Sequence, residues 1–82
     1  MSTIACSVYL PNKEEKYDKV AHVLVPSESG ELDIYPGHAE CYALVSGTDV
    51  VISMTDKKQM TVHVLEGGCY FADNRFVLFV SS

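Results

Sequence analysis

Alternating hydrophobicity constrains this chain more than any other feature of it. Residues 3–10 put Ile4, Cys6, Val8 and Leu10 on one side and Thr3, Ala5, Ser7 and Tyr9 on the other. That period of two is the mark of a half-buried strand. The same rhythm returns at Cys41, Ala43 and Val45, again at Val50, Ile52 and Met54, and again at Met60, Val62 and Val64. In residues 39–45 a short helix also fits the pattern. Residues 69–72 and 76–80 read as a last hairpin across Asp73-Asn74. No stretch sustains a period of 3.6.

Turn residues punctuate the alternation. Residues 11–15 and 26–30, Ser46-Gly47 and residues 55–58 read as reversals. Gly67-Gly68 marks a bend or a close approach of backbone. Val20 and Val23 are three apart, so a bulge between them, or burial on both faces, is expected. The pattern predicts an all-β fold: a small antiparallel β-sandwich or barrel of about 8–10 short strands. Residues 1–82 read as a single domain, with no repeat, linker or low-complexity segment.

The corner at residues 29–38 is turn, short strand, turn. Gly30 suits a tight reversal because it accepts positive φ. Pro36 and Gly37 suit the two central positions of a type II turn. Between the turns Leu32 and Ile34 point one way, and Asp33 and Tyr35 the other. Glu31, Tyr35 and His38 are therefore expected near one rim. His38 either fastens the corner through a loop carbonyl or serves as a contact. Tyr35 fits either rim core or an exposed anchor.

Composition removes several functions. A net charge of −5, with six Lys and Arg in all, leaves no basic patch for nucleic acid or for an anionic membrane surface. No apolar run reaches the length of a membrane helix, so no direct membrane insertion is expected. The N-terminus lacks the basic and solid apolar regions of a signal peptide. Cys6, Cys41 and Cys69 are odd in number and widely spaced, which fits a reducing cytoplasm better than a disulfide framework.

No catalytic residue, cofactor or metal site is indicated. There is no Gly-x-Ser-x-Gly elbow, no phosphate-binding glycine loop and no paired carboxylate. His38 and Cys41 form one close ligand pair, where structural zinc sites show two. His22, His38 and His63 do not give the spacing of a cupin-like metal barrel, the strongest enzymatic alternative. A stand-alone β-sandwich interaction module is the other alternative.

Residues 30–39, Gly-Glu-Leu-Asp-Ile-Tyr-Pro-Gly-His-Ala, resemble the Gly-Glu-x-Gly-Ile-Leu/Tyr-Pro-Gly-His-Ala stretch of the epsilon subunit of F-type ATP synthases. Val20, Val23 and Pro26 resemble its second-strand segment. Gly67-Gly68, followed by residues 74–78, resembles its last hairpin. The likeness spans the chain and matches the family's N-terminal β-sandwich only. Asp33 stands where the family has glycine, and residues 40–42 replace the usual Pro-Leu-Leu.

The resemblance implies a non-catalytic rotor subunit of the central stalk. It would link the gamma subunit to the c-ring and couple proton flow to ATP synthesis, without the family's inhibitory or ATP-binding helical arm. Ser27, Glu28, Ser29, Gly30, Glu31, Leu32 and Asp33 would meet the polar loops of the c-ring. Tyr9, Leu10 and His38 would meet gamma. Gly30, Pro36, Gly37, Gly67 and Gly68 would be structural. The subunit would lie at the cytoplasmic face of a bacterial inner membrane, held there through its partners.

Overall fold

The computed structural model describes residues 2–28 and 30–82. Its elements are β1 (Ile4–Leu10), β2 (Lys13–Ser27), β3 (Gly30–Ile34), β4 (Cys41–Met54), β5 (Gln59–Ala72) and β6 (Arg75–Val80). Among the described residues every regular element is a strand. The strand order is β1-β6-β5-β4-β2-β3, and β1 pairs with β2 as well. The sheet therefore closes on itself. Closure leaves open edge only along β3 and along the part of β4 that β2 does not reach.

The all-β class is as the sequence predicts, but the strands are six and longer. Three of them run for 14 or 15 residues. Ser46-Gly47 does not reverse the chain: β4 runs through it, and Gly47 takes φ +60°. Gly67-Gly68 does not break β5 either. What changes at both places is the inward face. Val45 is buried on one side of Gly47, and Val50 and Ile52, of opposite parity, on the other. Its partner shifts from Val64 to Cys69 and Phe71. The two strands roll over together with their register unbroken, so each long strand serves both layers. Residues 13–15 also join β2, because Pro11 and Asn12 alone close the β1–β2 hairpin.

The pairing is antiparallel except between β1 and β6, which run parallel. First and last strands meet with the whole chain between them, so no tight turn fixes their direction. β2 carries the expected bulge. Val20 faces Met54 while His22 faces Ser53, two steps against one. The extra residue lets both Val20 and Val23 reach the core. Ile4, Cys6 and Val8 alternate inward as expected, and Phe71 and Phe76 fill the centre. Met60 departs from its expected core position. It lies on the inward parity, but near the β4–β5 hairpin tip, and is 41% exposed.

The corner takes the predicted form. Ser27 pairs with Gly30, whose φ is +123°. The His38 amide donates to the Tyr35 carbonyl at 3.0 Å, and Gly37 takes φ +87° between them. That is a type II turn with Pro36 presetting its first φ. The Gly37 amide also donates to Asn74 Oδ1 at 2.6 Å. Asp73 and Asn74, at φ +51° and +57°, form the β5–β6 turn, the pair of left-handed residues that a two-residue hairpin requires. The corner is thus tied to the last hairpin.

Candidate functional site: an acidic hairpin beside an aromatic face

The outward side chains of β4, β5, β6 and β1 align in two rows. Tyr42 faces Tyr70, Tyr70 faces Val77, and Val77 faces Ser7. In the next row Leu44 faces Gly68, Gly68 faces Phe79, and Phe79 faces Tyr9. Tyr42 and Leu44 are 73% and 78% exposed, and Phe79 is 55% exposed. Gly68 has no side chain to fill the space between Leu44 and Phe79. A shallow apolar hollow of about 540 Å³ results. Tyr9 stacks on Phe79 with ring centres 5.3 Å apart, and Tyr42 leans on Tyr70 at 4.9 Å. Contiguous apolar surface of this kind on a small domain marks a contact site.

Two phenols on this face are tied to acids. The Tyr70 hydroxyl donates to Glu40 Oε1 at 3.2 Å. Its pKa is raised by desolvation and then by that carboxylate. The Tyr9 pKa is raised first by its hydrogen bond to Glu14, which sits opposite it on β2.

The β2–β3 hairpin flanks the other side of β4. Ser27 Oγ donates to the Gly30 carbonyl at 2.7 Å and helps close the hairpin. Glu28 and Glu31 are exposed. Among the described residues no cation lies in bridging distance of either. Leu32 is half-buried and packs against the core. Asp33 accepts from His22 Nε2 at 2.6 Å. His22 in turn stacks on Tyr35 at 4.5 Å and 17°. The residue that replaces the family's glycine therefore ties the outer sides of β2 and β3 together. A cleft of about 490 Å³ separates this hairpin from Tyr42, Ala43 and Leu44.

The structure gathers only some of the expected contact residues. Ser27, Glu28, Gly30, Glu31, Leu32 and Asp33 share the hairpin. Ser29 lies outside the described residues. Tyr9 belongs to the aromatic face. Leu10, its neighbour, packs on the core instead. His38 stands apart, where its Nδ1–H donates to the Ala39 carbonyl at 2.7 Å and its ring meets Phe71 edge-on at 5.9 Å. Cys41 Sγ lies 4.0 Å from that Nδ1. Among the described residues no group of three His, Cys, Asp or Glu could hold a metal ion. Burial pushes the Cys6 thiol up to about 12 and the Cys69 thiol up to about 11.

Tyr42, Leu44, Tyr70 and Phe79 were missing from the expected site. Their signal was present: in residues 41–45, 69–72 and 76–80 the side of the alternation facing away from the core is itself apolar.

The family model for the ATP synthase delta/epsilon chain β-sandwich domain matches residues 3–82. The chain belongs to that family. No curated protein matches it by sequence. Among solved structures, the delta/epsilon-type fold recurs in a chain of the Euglena gracilis mitochondrial ATP synthase, described as its OSCP/F1/c-ring portion. The TM-score there is 0.88 at 12% identity, over 98% of this chain. A chain of the Tetrahymena thermophila mitochondrial ATP synthase central stalk and c-ring matches with a TM-score of 0.79 at 15% identity, over 99% of this chain. This delta/epsilon-type chain spans 51% and 65% of those two relatives.

Proposed function

We propose that this delta/epsilon-type domain is a non-catalytic element of the central stalk of an F-type ATP synthase, joining the gamma subunit to the c-ring and so coupling ion flow to ATP synthesis. The observation that carries the proposal is the adjacency of two unlike surfaces on one closed sheet. The aromatic face suits a durable protein contact, and the acidic hairpin suits basic loops, where charge sets register more than affinity. A stable contact buries on the order of 800 Å² per partner. Against a total surface of 5083 Å², that is roughly one-sixth. A close-packed barrel is stiff enough to pass torque between two such contacts.

The gamma contact is then Tyr9 with Tyr42, Leu44 and Phe79. Leu10 supports it from beneath, and His38 holds the corner. Residues 27–33 face the c-ring. The role needs no cofactor and no helical arm, and it makes the subunit peripheral to a coupling membrane through its partners. The sequence resemblance points to the cytoplasmic face of a bacterial inner membrane; the matched solved relatives are mitochondrial.

Size-exclusion chromatography with the cognate gamma subunit tests the proposal. Co-elution at micromolar concentration is expected. Separate elution of two folded partners would refute it. The double variant Glu28→Gln, Glu31→Gln should keep gamma binding and lose c-ring association.

A further inference from the structure

We propose that residues 41–46 of β4 are a docking edge for an extended segment of a partner protein, which adds as a strand and carries apolar side chains between basic ones. The inference does not rest on the stalk role. It rests on an incomplete ladder and on charge.

β4 pairs on both sides only over residues 51–53, where Val51 faces Leu24 and Thr61 and Ser53 faces His22 and Gln59. Among the described residues, 41–50 pair with β5 alone. The reason lies in β2. Its pairing with β4 ends at Leu24, two residues before Pro26, which has no N–H to give. Beyond that point β2 turns with β3 away from β4, leaving the cleft between hairpin and β4.

Two stretches of open edge remain beside this hairpin, the outer edge of β3 and the edge of β4 that faces the cleft, and they are not alike. β3 carries Glu31 and Asp33 and is followed by Pro36. Charge and proline are the usual guards of a free edge. Residues 41–46 read Cys-Tyr-Ala-Leu-Val-Ser, with no charge and no proline. Their backbone groups on that side face the cleft without a ladder. Unguarded edges of this kind take up added strands, with backbone bonds giving affinity and alternate side chains giving selectivity.

Charge chooses the occupant. No Lys or Arg occurs between Lys19 and Lys57, while Glu28, Glu31, Asp33, Glu40, Asp49 and Asp56 do. Glu28 and Glu31 border the cleft beside Leu44, and Glu40 precedes the other end of the edge. A second copy pairing edge to edge would bring acid against acid, which is repulsive. A segment with basic residues at its ends and apolar residues at alternate positions meets both the acids and the apolar rim of Tyr42 and Leu44.

The test uses the blocked peptide Lys-Val-Thr-Val-Thr-Val-Lys and amide hydrogen exchange on the whole chain, read by NMR. Peptide addition should slow exchange at amides within residues 41–46. A peptide with the same side chains but N-methylated at alternate backbone positions should not. Glu28→Gln with Glu31→Gln should weaken the peptide by roughly two- to fivefold. Three results would each overturn the proposal: equal binding of the methylated peptide, protection on β3 instead, and no protection at millimolar peptide. So would a concentration-dependent dimer that protects residues 41–46 without any peptide.

Discussion

At position 67 a side chain has no room. A Cβ there would lie 2.1 Å from the Phe79 carbonyl oxygen and 3.1 Å from a Val64 methyl. The neighbour is backbone, so it cannot swing aside. Gly68, one residue on, would place a Cβ 3.5 Å from the Ala43 carbonyl, an ordinary contact. Gly67→Ala should therefore cost about 2–3 kcal/mol, and Gly68→Ala less than about 1 kcal/mol. Urea denaturation of the two variants side by side checks the difference. A close approach of backbone was legible in the Gly-Gly pair, but which strand approaches was not, because that depends on a register with β6 that no local signal encodes. The buried thiols give a second prediction at this scale. Burial raises Cys6 from 9.0 to about 12 and Cys69 from 9.0 to about 11. The folded state holds these protons, and unfolding above pH 9 releases them. The stabilisation is complete below pH 9 and is lost as pH rises towards 11–12, at about 1.4 kcal/mol per pH unit for each thiol. Stability measured at pH 7, 9 and 10 should fall steeply over the last step. In the Cys6→Ala, Cys69→Ala double variant that step should be much shallower.

The elements show why the sequence predicted more strands than form. Glycine beside serine is the usual sign of a reversal. Here Gly47 supplies a positive φ within a strand, and the cue that separates the two outcomes is the switch of buried parity from Val45 to Val50. That cue is in the sequence, but it is read correctly only when β5 switches at the matching place. The corner was the opposite case. Both of its turns were legible because Pro36 presets its own φ and Gly30 and Gly37 accept the positive φ that the turns need, whatever packs on them. What was not legible there is the clasp on the hairpin's outer side. His22 and Asp33 are 11 positions apart and meet at 2.6 Å only because β2 and β3 pair as they do. Restoring glycine with Asp33→Gly removes that contact and adds backbone freedom to a strand. A loss of about 1–2 kcal/mol is expected, roughly 0.5–1 from glycine and the rest from a partly exposed hydrogen-bonded pair. Thermal unfolding beside His22→Ala separates the parts. If His22→Ala costs nothing, the pair contributes nothing and the glycine effect stands alone.

For the whole molecule, the function depends on what the closed sheet leaves uncovered. Joining β1 to both β2 and β6 leaves no sheet edge on that side, so the outer surface of β1, β6, β5 and β4 becomes one continuous face. The residues that line it come from both ends and the middle of the chain. The family resemblance pointed to Tyr9 without Phe79, its stacking partner 5.3 Å away. The acidic hairpin, by contrast, is a local segment and was legible as a unit. A surface assembled in this way should separate stability from binding. Phe79 is 55% exposed, so Phe79→Asp should change folding stability by no more than about 1 kcal/mol. At the centre of a buried contact, the same change should cost at least about 2 kcal/mol of affinity, a weakening of roughly thirtyfold or more. Lys57→Asp, in the β4–β5 turn away from that face, makes a charge change of the same sign and twice the size and should leave the affinity unaltered. Titration calorimetry with the gamma subunit decides the matter. Equal losses for both variants would assign the effect to net charge, and no loss for Phe79→Asp would move the proposed gamma contact off the aromatic face.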